Sequence, residues 1–333
     1  MFKKLVLKIL ILLILLVIIF YIYLWFSSKQ KYKVDYGISF SKQHAESLGL
    51  NWKENYLAML DELKPKYLRF SATWDEVEKE RGQYDFTEID WQMNEAKKRG
   101  VKVILAIGQK APRWPECHIP DWAEILEEEN YKIELFEYLK TVVERYNLNE
   151  ALEIWQVENE PFIKFRFGDC ENYHQNLVLE EINFVKDLSL EHKIIITDSG
   201  ELSTWRQATK VGDLFGSTLY RVVMTPGGRY WNYDWLPAGF YKLKAKFWRI
   251  DFNNFYISEL QAEPWFTNSN PNTTDIFEQE KSMNIERMNK HFDYVERIGV
   301  SRAYLWGVEW WYWMKTKIND DRYWEIVKNK INN

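Results

Sequence analysis

Apolar and polar positions alternate along this chain in a repeating order. Short apolar runs of strand length recur, with longer stretches of helical periodicity between them. The strand candidates are "YGISF" (36–40), "YLRFSA" (67–72), "VKVILAIG" (101–108) and "LEIWQVEN" (152–159). They continue with "KIIITDS" (193–199), "LFGSTLY" (214–220), "NFYISEL" (254–260) and "AYLWGVE" (303–309). Segments such as "IDWQMNEAKKRG", "ELFEYLKTVVERY" and "IERMNKHFDYVERIG" carry apolar residues three and four apart, the mark of a helix with one buried face. Gly100 and Gly299 stand where a helix C-cap is expected before a strand.

Eight strand–helix units in about 300 residues predict a (β/α)₈ (TIM) barrel, which usually needs about 250. A doubly wound open sheet shares the alternation but favours a glycine-rich phosphate loop after its first strand. "YGISFSKQHAESLG" contains no such loop.

One run breaks the pattern. Residues 5–26, "LVLKILILLILLVIIFYIYLWF", are apolar apart from Lys8, and Tyr21, Tyr23, Trp25 and Phe26 gather at the far end. About 20 such residues cross a bilayer core, and the aromatic cluster suits its interface. The run is too long for a signal-peptide core and no small-residue cleavage site follows it. The expected organisation is a transmembrane anchor (5–26), a polar linker (27–34) and one catalytic domain (35–333). Lys3, Lys4 and Lys8 precede the span while Lys29, Lys31 and Lys33 follow it, so charge leaves the orientation nearly balanced. The expectation is a single-pass membrane protein with its domain outside the cytoplasm.

Composition changes this picture little. The net charge of −5, with no basic stripe, argues against nucleic acid. Seventeen tryptophans are many even for a large core, and they suit a flat, hydroxylated ligand such as a sugar ring. Five scattered histidines show no ligand pair, so neither a metal nor a cofactor is expected. The two cysteines, Cys117 and Cys170, fall after strands three and four, neighbouring loops in a barrel. An oxidising compartment would make them a disulfide; two separate thiols are the alternative.

Barrel chemistry sits at the C-terminal ends of the strands. Those ends offer Arg69, Gln109, Asn159 with Glu160, Asp198, Tyr220, Glu259, and Trp306 with Glu309. Two carboxylates from strands across the barrel are what glycoside hydrolysis needs. Gln109, Trp114, Glu201, Trp265 and Glu309 are further subsite candidates. Glu158 is expected deeper, inside the barrel in an ion pair. Glu263 is expected in the loop beyond strand seven, and His118 and His174 are read as ordinary loop histidines.

The sequence resembles the clan A glycoside hydrolases, retaining enzymes built on this barrel. Asn159-Glu160-Pro161 matches their hallmark after strand four, and Ser258-Glu259 matches their strand-seven nucleophile motif. Arg69 matches the strand-two arginine and Trp306 the strand-eight tryptophan that floors the sugar site. "WDEVEKERGQYDFTEIDWQMNEAKKRGVKVIL" is similar to the segment leading into strand three in families 42, 39 and 10. At strand six "STLYR" departs from the His-x-Tyr of several family 5 enzymes, keeping only Tyr220.

The resemblance implies Glu160 as general acid/base and Glu259 as nucleophile on a β-glycosidic bond. Asn159 would bind the sugar 2-hydroxyl, with Arg69 and Tyr220 holding Glu259 ionised and aimed. Gln109, Trp265 and Trp306 would complete the substrate site. The partner would be an oligosaccharide, polysaccharide or glycoconjugate. A transglycosylase with the same residues, or a glycan-binding barrel without catalysis, stays open.

Overall fold

A computed structural model describes residues 2–165, 168–225, 227–265 and 271–332. Eight parallel strands close into a barrel: β1 Asp35–Ser39, β2 Tyr67–Ser71, β3 Lys102–Ile107, β4 Leu152–Val157, β5 Lys193–Asp198, β6 Leu214–Leu219, β7 Phe255–Gln261 and β8 Arg302–Trp306. Each strand pairs with its neighbours in sequence, and β8 closes on β1 with Asp35 opposite Arg302 and Ser39 opposite Trp306. The TIM barrel read from the sequence is the fold.

Alternation along the strands builds two cores. Ile104, Ile154, Ile195, Leu214, Tyr256 and Tyr304 fill the foot of the barrel interior. Their outward neighbours, such as Val103, Leu105, Trp155 and Ile257, join the larger apolar layer under the helices. Arg302 sits between the Tyr67 and Tyr256 rings and pairs with Glu153 at 2.7 Å, closing the foot.

Two strand ends differ from the expected ones, and both shape the mouth. β4 stops at Val157 rather than running to Asn159, because Glu158 and Glu160 are both left-handed (φ 64° and 45°). β8 stops at Trp306; Gly307 (φ 140°) turns the chain into the helix Val308–Trp313, so Glu309 lies on a helix and not on a strand.

The N-terminal helix runs from Phe2 to Ser27, slightly beyond the apolar run itself, and its central window is wholly exposed. The following segment is not a loose tether. Lys31 pairs with Asp293 and Glu296 at 2.6 and 3.3 Å, and Tyr32 N–H donates to the Glu296 carbonyl at 2.9 Å.

Cys117 and Cys170 form a disulfide, with Cα atoms 5.2 Å apart, joining the loops after β3 and β4. The bridge spans 53 residues. In the chain-entropy account a closed loop of that length stabilises by about 4 kcal/mol. The Cys117→Ser/Cys170→Ser variant should therefore show a clearly lower midpoint in guanidinium unfolding. An unchanged midpoint would show that the bridge leaves the unfolded chain unconstrained.

Candidate active site

The site assembles where β2, β4, β6 and β7 end. Arg69, on β2 and 1% exposed, reaches across the mouth. Its Nη1 donates to Glu259 Oε1 at 2.9 Å, Nη2 to Asn159 Oδ1 at 3.1 Å, and Nε to Gln156 Oε1 at 2.7 Å. One guanidinium thus ties the strand-four and strand-seven groups into a single frame, as its planar fork allows. Tyr220 Oη donates to the other Glu259 oxygen at 2.8 Å, and Trp265 packs edge-on against Tyr220 at 4.8 Å.

Glu160 comes to the same place by its backbone. Two left-handed residues in three cost about 1–3 kcal/mol each, a strain found where a site demands one geometry. Here it turns Asn159 and Glu160 off the strand toward the mouth. Glu160 N–H donates to Thr197 Oγ1 at 2.8 Å, and Thr218 Oγ1 donates to Glu160 Oε1 at 2.9 Å. Thr218 on β6 is in register with Glu259 on β7, so one strand spacing links the two carboxylates.

Burial and the charge of Glu259 push Glu160 up to about 8; Glu116 adds to this, while Lys110 and the Thr218 hydroxyl oppose it. A carboxyl still protonated at neutral pH can donate a proton.

Glu116 was not foreseen. It lies in the loop after β3, left-handed (φ 74°) and buried, where Asn159 Nδ2 donates to its Oε2 at 3.2 Å. Lys110 stands 3.8 Å from the same carboxylate. Burial pushes Glu116 up to about 7, with Lys110 pulling the other way. Arg113, left-handed as well, lies in that loop with its guanidinium 4.1 Å from the Trp306 ring centre. It pairs with Glu263 and, at 3.0 Å, with Glu309. His44, Glu263 and Glu309 bring ligand atoms within 4.8 Å of one another, and the Arg113 cation pairs with both carboxylates. Against the cost of burial, Arg113 and His44 hold Glu263 down to about 2. The signal for this loop was present in "KAPRWPECH", where two prolines and a cysteine bracket two charges.

Other candidates lie elsewhere. Gln109 does not face the mouth: its Nε2 donates to Glu181 at 2.7 Å, and its Oε1 accepts from Tyr131 Oη and His174 N–H. Its amide is consumed behind the barrel. Among the described residues Glu158 has no ion-pair partner, contrary to the expectation. Its carboxylate accepts the Gln109 and Lys110 N–H groups at 2.5 and 2.9 Å, filling the place where a Cβ on Gly108 (φ 121°) would stand. Glu201 pairs with Arg221 at 3.7 Å. His118 faces Asp75 at 3.3 Å, and the His174 ring packs at a tilt against Tyr131. Trp114 is 61% exposed on the loop that carries Arg113 and Glu116.

Comparison with known proteins agrees with this fold. The model of glycosyl hydrolase family 10 matches residues 53–179, less than half of the chain, ending before the strand that carries Glu259. A search of curated proteins finds no match. Among solved structures, xylanase 10B of Thermotoga petrophila with xylobiose superposes with a TM-score of 0.55 at 17% identity, covering 82% of each chain. GH5_18 of Bifidobacterium longum with Manβ1-4GlcNAc gives 0.57 at 12% identity, covering 82% of this chain and 69% of that one. The β-galactosidase of Rahnella sp. R3 gives 0.60 at 12%, with 92% of this chain spanning only 56% of that one. The clan A resemblance stands, and the family match with these neighbours supports an enzyme acting on O-glycosyl bonds.

Proposed function

We propose that this chain is a membrane-anchored retaining glycoside hydrolase that cleaves β-glycosidic bonds. One observation carries the reading. Two glutamates at the barrel mouth have opposite surroundings: Glu259 faces a guanidinium and a phenol donor, while Glu160 is pushed up to about 8. Pairs of carboxyls set apart in this way divide acid and nucleophile between them.

In the first step Glu160 gives its proton to the leaving oxygen as Glu259 attacks the anomeric carbon. The C–O bond to the aglycone breaks and a glycosyl-enzyme ester forms. Glu160, now a carboxylate, takes a proton from water, whose oxygen attacks the same carbon and releases Glu259. Two inversions give retention, which calls for carboxyl groups about 5–5.5 Å apart. Asn159 Nδ2 has one hydrogen toward Glu116 and a second for the sugar 2-hydroxyl. Trp306 offers a ring face, and the Arg113 guanidinium lies over that ring. The sugars bound by the neighbours, xylobiose and Manβ1-4GlcNAc, support a carbohydrate substrate.

Assay of the full chain in detergent against a panel of aryl β-glycosides tests this. Release of the phenol with a product of retained configuration is expected on at least one sugar. Binding of glycans without turnover on any of them would make the barrel a lectin-like module instead. The anchor has its own test: the membrane-extracted protein should keep its original N-terminus, and a chain starting near Ser27 would refute it.

A further inference from the structure

The contacts made by the end of the apolar helix and by the segment after it descend the barrel in order. Tyr21 Oη donates to the Trp235 carbonyl at 2.6 Å. The Leu24 carbonyl lies so close to Gly239 that a Cβ there would stand 2.0 Å away. Lys242 Nζ donates to the Ser27 carbonyl at 3.1 Å, and Arg297 Nη1 to the Ser28 and Lys29 carbonyls at 3.3 and 3.1 Å. Asp35 N–H finally meets the Ser301 carbonyl at 3.0 Å.

Each partner has a known height. Trp235 follows the C-terminal end of β6, on the mouth side, and the helix Gly239–Phe247 leads from there toward the foot of β7. Arg297 is in the last turn of the helix that ends before the foot of β8. Residues 21 to 35 therefore run from mouth to foot, and residues 2–20 must project past the mouth. At 1.5 Å per residue these 19 residues reach about 28 Å, close to a bilayer core.

The surface beside that exit has the side chains an interface wants. Trp231, Trp235 and Phe277 are 51, 54 and 73% exposed. The first belongs to a hairpin, Val222–Met224 with Tyr230–Asn232, that Tyr230 Oη ties to Glu278 at 2.8 Å. Trp235 touches the span itself, five residues before Phe26 counted along the helix at Tyr21, a depth that belongs to the headgroup zone.

We propose that the active-site mouth faces the bilayer, with Trp231 and Trp235 seated in its headgroup zone, and that the substrate is a glycan carried on a membrane lipid. A mouth so placed is reached by headgroup sugars in the plane of the membrane, whereas a long polymer in solution meets the foot and flank. The inference rests on the anchor and the hydrolase reading.

Full-length chain in phosphatidylcholine vesicles tests it. Cysteines placed by Trp231→Cys, Trp235→Cys or, at the foot, Leu190→Cys are labelled with a fluorophore, and lipid carrying a doxyl quencher near the headgroup is added. Labels at 231 and 235 should be quenched and the label at 190 should not. The sugar accepted as an aryl glycoside is then offered as a β-glycosyl diacylglycerol in the same vesicles. Confinement to one surface should raise kcat/KM on the order of a hundredfold over the soluble glycoside. The Trp231→Ser/Trp235→Ser variant should lose that advantage while its soluble turnover is unaltered. Quenching at 190 alone, at neither face, or equal use of both substrates would overturn the proposal. Loss of the first 27 residues in the mass of the extracted chain would instead sink the anchor reading, and absence of turnover on every glycoside the hydrolase reading.

Discussion

Glu259→Ala is expected to abolish turnover of every β-glycoside, whereas Glu160→Ala should lose activity in proportion to how badly the leaving group needs a proton. The two variants remove different atoms from the same frame. Without Glu259 no covalent intermediate can form, so neither a good leaving group nor a high pH restores the reaction. Without Glu160 an activated aryl glycoside still expels its phenolate and loads Glu259. The ester then waits for a base that is gone. General acid–base help amounts to roughly 10²–10⁴-fold, so natural-type substrates should slow by that order while the activated one shows a burst.

Azide separates the cases further, because it needs no base. In Glu160→Ala it should attack the glycosyl-enzyme and give a glycosyl azide of retained configuration. In Glu259→Ala it would enter the vacated space, attack from the opposite face and give the inverted azide. Swapped configurations would exchange the two roles. A loss of activity that no azide relieves in either variant would remove the double-displacement mechanism altogether.

The barrel was legible because short continuous apolar runs, as expected of strands buried on both faces, alternate with period-3.6 segments over nearly the whole length after the N-terminal helix. Of the strand-end residues singled out in the sequence, Arg69, Asn159, Tyr220 and Glu259 lie in one hydrogen-bonded frame, since strand ends are where side chains of different strands can meet. The roles given to them and to Glu160 and Trp306 belong to the proposed function. Apolar pattern could not show where a strand stops when the chain turns in place. "VENEPF" reads as strand to Asn159, yet two left-handed residues end it at Val157. Gln109 failed for the same reason: strand parity does not tell that a residue past Gly108 swings to the outside and spends its amide on Glu181 and Tyr131. Glu116, Lys110 and Arg113 were missed because no period aims a loop's side chains; its closure does, here a disulfide between two loops. The prolines and cysteine of "KAPRWPECH" mark a constrained loop without saying where its charges point.

Under the proposed mechanism, burial and Glu259 chiefly hold the proton on the acid, and that loop adjusts it through Glu116 and Lys110. Glu160 is held up to about 8 by burial, by Glu259 and by Glu116, against Lys110 and the Thr218 hydroxyl. The protonated form does the work, so kcat/KM on glycosides with poor leaving groups should fall above about pH 8, by about tenfold per unit. An activated aryl glycoside, which needs no proton, should show no such limb. Glu116→Gln removes one of the charges that keep the proton on and should move the limb to lower pH. Thr218→Val removes a donor that favours the carboxylate and should move it to higher pH. The same proton affects stability. With its folded value above the unfolded value of 4.5, Glu160 keeps a proton that the unfolded chain has already released, so stability declines as pH rises from about 4.5 to about 8. Glu160→Gln should flatten that part of the unfolding midpoint against pH. A limb that stays in place in both variants would mean that another group supplies the proton.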